Sequence, residues 1–217
     1  MRAMQRLADE FFTTEEQERI VAAVQAAEKT TAGEIVPMVV SSSSPYPRAD
    51  AMGGVLLGLV AAAGVAQVAG MDDVWSFIPL FLVATIAFQV LLHFTPNLKR
   101  LFISRHEMQD AVEEAAAKAF FTQGLHRTRD ETGILIFISV YERKVWVLAD
   151  RGINAKVDTA TWQELVDLVV AGIKAKRQAQ AVCDAVARCG AILHDHFPIK
   201  ADDTDELANL IVGNKAQ

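Results

Sequence analysis

The chain has 217 residues, 52% hydrophobic but only 7% aromatic, and a formal net charge of −6. An acidic chain repels phosphate backbones, which disfavours nucleic acid as a partner. Much of the apolar excess is gathered in the middle of the chain, which points instead to a lipid bilayer as the partner there.

The N-terminal stretch, Met1 to Glu10, is charged and lacks an apolar run, so it does not read as a secretory signal. Thr13 and Glu16 form a capping-box pattern, and Ile20, Val21, Val24 and Ala27 follow at helical spacing. Gly33 can end the turn. Glu34 to Val40 then reads as a strand, with Pro37 suggesting an edge or irregular position because it has no N–H to donate. The run Ser41-Ser-Ser-Ser-Pro-Tyr-Pro47 reads as a loop leading to the membrane.

Two charge-free stretches follow, from about Gly53 to Gly70 and from about Val74 to Phe94. A helix that spans a bilayer needs about 20 apolar residues, and both stretches meet that length, the first narrowly. In the first, Gly54, Gly58, Ala62, Ala66 and Gly70 recur every fourth residue, a small-residue stripe along which a second helix backbone can approach. The second is bulkier, with Trp75 at its start, where an indole favours the membrane interface. Only Met71-Asp72-Asp73 separates them, so the helices are antiparallel neighbours. Arg48 precedes the pair, Lys99, Arg100 and Arg105 follow it, and the turn has no basic residue. This asymmetry places both flanks and both termini in the cytoplasm, with the hairpin in the cell (inner) membrane.

After the hairpin, Ser104 and Glu107 form a second capping box, and the helix they open carries Val112, Ala115, Ala116, Ala119 and Phe120 on one side and ends near Gly124. Gly133 to Val140 is almost continuously apolar, as in a strand covered on both faces. Lys144 to Ala149 follows after a three-residue turn, which requires an antiparallel hairpin. Asp158 can cap a helix bearing Trp162, Leu165, Val166, Val169 and Ile173. A last helix carries Ala181, Val182, Ala185, Val186, Cys189, Ile192 and Leu193 and stops near Phe197-Pro198. The segment 200–217 reads as a polar tail. The domain plan is thus 1–47 and 97–199 as two parts of one mixed-sheet α/β domain, interrupted by a transmembrane hairpin at 53–94.

The acidic residues are the candidates for chemistry. Asp130 and Glu131 precede the central strand and Asp150 ends the next one, so antiparallel pairing brings all three toward one end of the sheet. Carboxylates with loop carbonyls suit Ca2+ or Mg2+; equally, charged residues ordinarily flank strands. Glu142, at the opposite end, is expected to pair with Arg143 or a neighbouring basic group. His194 and His196 point about 200° apart on an ideal helix, which does not suit joint ligation of one ion. Cys183 and Cys189 lie six apart in a helical stretch, a spacing that fits neither a zinc knuckle nor a redox pair, and read as small buried hydrophobes in a reducing compartment. No nucleophile elbow, phosphate-binding glycine loop or cysteine cradle appears in the sequence.

The run from Thr132 to Ile153 (TGILIFISVYERKVWVLADRGI), with Thr31-Ala-Gly-Glu-Ile-Val36 after the first helix, resembles the core of the TPM domain, and looks most like the bacterial membrane branch of that family. The resemblance implies a Rossmann-like α/β/α sandwich with a mixed sheet. For function it implies a range: some members are called acid phosphatases, others bind calcium, others serve as accessory factors for membrane complexes. The expectation is a non-catalytic interaction or maintenance module for other membrane proteins; the alternative is a metal-dependent phosphatase using the acidic site.

Overall fold

The computed structural model describes residues 7–128, 131–198 and 207–213. The chain divides into two compact units, one containing Pro45–Met108 and the other Gln5–Ser44 with Gln109–Gln217.

The larger unit is a mixed α/β fold around a four-stranded sheet. Strands β1 (Glu34–Val40), β2 (Gly133–Ser139), β3 (Lys144–Ala149) and β4 (Ile211–Gly213) lie in the order β3-β2-β1-β4. β1 is parallel to both β2 and β4, and β2 is antiparallel to β3. Both faces are covered. Ile35 and Val39 of β1 and Ile134, Ile136 and Ile138 of β2 meet helices α1 (Thr14–Glu28), α5 (Thr159–Lys174) and α6 (Gln178–His196) through Ile20, Val24, Leu165, Val169, Val182 and Leu193. The alternate residues Val36, Met38, Val40, Leu135 and Phe137 meet Val112, Ala116, Ala119 and Phe120 of α4 (Arg105–Thr122). This is why β2 is apolar at nearly every position: every residue in it is buried.

The caps read from sequence form. Thr13 Oγ1 accepts from Glu16 N at 3.2 Å while Glu16 Oε2 accepts from Thr13 N at 2.9 Å. Ser104 Oγ accepts from Glu107 N, and Asp158 caps α5 through Ala160 N. Gly124 ends the α4 region with φ +83°, a conformation that favours glycine.

Two readings need adjustment. β1 is an inner strand, though at Pro37 itself it is paired on the β2 side alone. Glu34 N donates to Thr132 O on the β2 side, whereas Ile35 N donates to Glu28 Oε1 and Ser41 N to Gly213 O on the other. Odd-numbered amides of β1 therefore face away from β2, and β4 reaches only Met38 to Val40, so the missing Pro37 N–H interrupts no bond to β2. The supposed polar tail is the second correction, because its residues Ile211–Gly213 form the strand that closes this edge.

The smaller unit is built on two long helices, α2 (Pro47–Ala69) and α3 (Val74–Phe94), joined at Gly70–Asp73. Both are long and apolar enough to cross a membrane, with mean hydropathy 1.9 and 2.1. The small-residue stripe is the contact: Gly54, Gly58, Ala62 and Ala66 are buried. A Cβ on Gly58 would come within 2.7 Å of the Thr85 backbone, so only glycine allows this approach. Gly70 is not part of the stripe. It caps α2 at φ +67°, with nothing near its missing side chain.

Candidate functional site

The antiparallel register sets the two ends of the sheet. Ile134 pairs with Ala149, and Asp150 N donates to Gly133 O at 2.9 Å, so the segments before β2 and after β3 meet. Asp130 lies outside the described residues. Glu131 and Asp150 do share this end, and Arg151 engages both. Its Nε and Nη2 donate to Glu131 Oε2 and Oε1 at 3.1 and 2.7 Å, and its backbone N donates to Asp150 Oδ1 at 2.7 Å. The Glu131 carboxylate beside it raises the Arg151 pKa further. Among the described residues at this end, Asp150 Oδ2 is left buried without a partner. A cation seated on Glu131 would have to displace this two-pronged guanidinium. Among the described residues no group of three His, Cys, Asp or Glu is placed to hold a metal ion.

At the opposite end lies Glu142. It is 2% exposed, and its described hydrogen bonds come from neutral donors. Ser42 Oγ and Ser43 N each donate to Oε1 at 3.1 Å, and Ser139 Oγ donates to Oε2. Ser43 Oγ in turn donates to Ser139 Oγ at 2.9 Å. These groups collect where β1 and β2, which are parallel, both finish, the end of an α/β sheet at which ligands commonly bind. A chain of hydroxyls ending on a buried carboxylate can pass a proton along itself, and it also satisfies a carboxylate that burial would otherwise penalise. Sequence reasoning missed it because Ser41 to Ser44 read as a linker; four serines directly after a strand were the available signal.

His194 is held by a backbone carbonyl, and the cysteines are unreactive. His194 Nδ1 lies 2.9 Å from the Thr30 carbonyl, which can only accept, so that nitrogen carries the proton. Lys156 donates to the His196 carbonyl at 3.2 Å and sits 4.0 Å from the centre of the Phe197 ring. Cys183 and Cys189 are both free thiols. Burial raises the pKa of each, that of the fully buried Cys189 to about 12, so neither is an activated nucleophile.

The hairpin presents the largest unusual surface. Only 28% of the apolar window of α2 and 11% of that of α3 is buried. Val68 is 91% exposed and Trp75 84%. At the open end of the hairpin, Lys99 Nζ donates to Asp50 Oδ2 at 2.8 Å and to the Pro45 carbonyl at 2.6 Å and is itself buried.

Comparison with known proteins agrees with this architecture. The model of the TPM domain (TPM_phosphatase) matches residues 86–192, from within α3 through most of α6. Among solved structures, the NMR structure of the BA42 protein from the psychrophilic bacterium Bizionia argentinensis is similar, with a TM-score of 0.56 and 23% identity over 95% of this chain and 96% of that one; at that identity the likeness shows the fold alone. No curated protein matches the sequence. The core run Thr132 to Ile153 lies inside the matched span, and residues 86–192 of the chain match the TPM domain family.

Proposed function

We propose that this is a membrane-anchored TPM-domain protein whose Rossmann-like α/β/α sandwich, held at the cytoplasmic face of the inner membrane, acts as a non-catalytic binding or maintenance module for other membrane proteins. The observation that carries the anchoring is the outward direction of the apolar residues on α2 and α3. A helix pair in a soluble core would bury them, whereas most of both apolar windows is exposed, and in water so large an apolar surface would drive aggregation. The basic residues Arg48, Arg100 and Arg105 flank the open end and the turn carries only Asp72 and Asp73, which supports a cytoplasmic domain. The binding role is supported by the state of the carboxylates: Glu131 is engaged by Arg151 and Glu142 by serines.

The test has two parts. Cysteines at Asp72 and Glu15, both exposed positions, should be labelled by a membrane-impermeant reagent from opposite sides of sealed vesicles; labelling of both from one side contradicts the hairpin. Affinity capture of the full chain from mild detergent should then return a defined membrane-protein partner, and repeated capture of none counts against the binding role. The metal-dependent phosphatase alternative has one observation in its favour, the unpartnered Asp150 Oδ2. It requires the purified chain to cleave an aryl phosphate with Mg2+ or Ca2+, and to lose that activity on Asp150→Ala.

A further inference from the structure

After α3 ends at Phe94 the chain does not simply leave the hairpin. Pro96–Lys99 forms one helical turn and Arg100–Phe102 a 3-10 turn, and these fold back on α2. Lys99 fixes the segment to the start of α2 through Asp50 and the Pro45 carbonyl. The Phe102 ring lies against Gly53, where an added Cβ would come within 3.0 Å of it. The same Gly53 position faces Leu92 at 2.6 Å. Phe102 is therefore level with Gly53 and Leu92, which both lie inside the apolar helices, and Gly53 is about 4.5 Å along the α2 axis from Asp50, three residues at the helical rise. Beside Phe102, Leu101 is 77% exposed. A lone exposed leucine is ordinary on a soluble surface, but this one sits beside two charge-free helices, in a segment held there by an ion pair whose cation is buried.

We infer that Pro96–Phe102 is a third membrane-contacting element, a short re-entrant turn lying at the boundary of headgroups and acyl chains with Leu101 inserted into the lipid. The inference rests on the membrane reading of α2 and α3. The occupant is phospholipid because the segment is continuous with the apolar surface of those helices, its buried cation Lys99 is already paired with Asp50, and the half-buried Arg100 beside Leu101 suits the headgroup layer. Arg48 and Arg105, both exposed, supply basic groups for the headgroup layer.

Spin labels on the full chain in phospholipid vesicles test this. The background is Cys183→Ser, and the fully buried Cys189, its thiol raised to about 12, stays unlabelled. Labels go at Leu101, at Val83 as the hydrocarbon reference and at Glu15 as the aqueous one. The ratio of collision with oxygen to collision with a polar nickel chelate should be several-fold higher at Leu101 than at Glu15, and lower than at Val83. A Leu101 ratio equal to that of Glu15, with Val83 still high, overturns the inference and leaves the anchor standing. Equal ratios at all three positions overturn the anchor as well. Exclusion of both collision agents at Leu101, with an immobilised spectrum, shows that protein rather than lipid covers it and also overturns the inference.

Discussion

The hairpin and the α/β domain are both rich in apolar side chains but turn them in opposite directions. In the domain, Ile134, Leu135, Ile136 and Phe137 are fully buried between two helical layers. In the hairpin a stripe of small residues makes the contact, Gly54, Gly58, Ala62 and Ala66 being buried, while Val60, Val68, Val83 and Ile86 are exposed. Water explains the first arrangement, since burying apolar area is what stabilises the sheet. It does not explain the second, whose contact is a close backbone approach, the kind of packing that proposed membrane helices use. Hydropathy alone does not separate the two regions; the size of the residue on each face does.

The sharpest test of that contrast removes a large side chain from each region. Phe137→Ala empties a fully buried site and should destabilise the domain by about 3–5 kcal/mol, measured by denaturant unfolding in detergent. Val83→Ala should change stability little, because its side chain is 66% exposed and fills no core. Comparable losses from both would mean that the hairpin is an ordinary protein core.

A smaller effect is expected at the buried end of the sheet. Glu142→Ala leaves the Ser139 hydroxyl, which is fully buried, without its acceptor, and should cost about 2–3 kcal/mol. In the hairpin, Gly58→Leu places atoms where the Thr85 backbone already lies. It should destabilise the helix pair by about 1–3 kcal/mol, read as increased protease sensitivity of the Met71–Asp73 turn with the domain melt unchanged.

The dryness of the domain interior also has a pH signature. Burial raises the Cys189 thiol from 9.0 to about 12. The native thiol then stays protonated through a range in which the unfolded thiol ionises, so the native state binds more protons there. Stability falls as pH rises from about 9 towards 12, by roughly 1.4 kcal/mol per pH unit from this group. The wild type should lose stability across that range faster than Cys189→Val, by comparison of denaturant midpoints. Equal slopes would mean that water reaches the thiol.

Much of the fold was legible because its signals are local. The capping pairs Thr13–Glu16 and Ser104–Glu107 are three residues apart, the β2–β3 turn is short, and the hairpin helices are uninterrupted runs. What was hidden depends on distant partners. β4 is three residues long and is a strand only because β1 lies beside it. Of the serines around Glu142, Ser139 is local, but Ser42 and Ser43 come from about a hundred residues away, so the sequence near Tyr141-Glu142-Arg143 does not mark the carboxylate as buried. The meeting of Glu131 and Asp150 was readable from antiparallel pairing; their engagement by Arg151 was not, because it depends on the backbone conformation of Glu131.

That conformation gives the smallest predicted effect and the finest test of the acidic end. Glu131 has φ +55°, in the left-handed region that disfavours a side chain by roughly 1–2 kcal/mol. Its ion pair with Arg151 is surface-exposed on both sides, worth about 1 kcal/mol at most. Glu131→Ala loses the pair and keeps the strain, and should destabilise the domain by less than about 1 kcal/mol. Glu131→Gly loses the same pair but releases the strain. The added freedom of glycine in the unfolded chain, about 0.5–1 kcal/mol, offsets part of that release. Glycine should therefore be no less stable than alanine here, the reverse of their order at an ordinary exposed position. If alanine proves clearly more stable, the loop does not hold Glu131 in the left-handed region, and the guanidinium pairing that occupies this end of the sheet loses its structural basis.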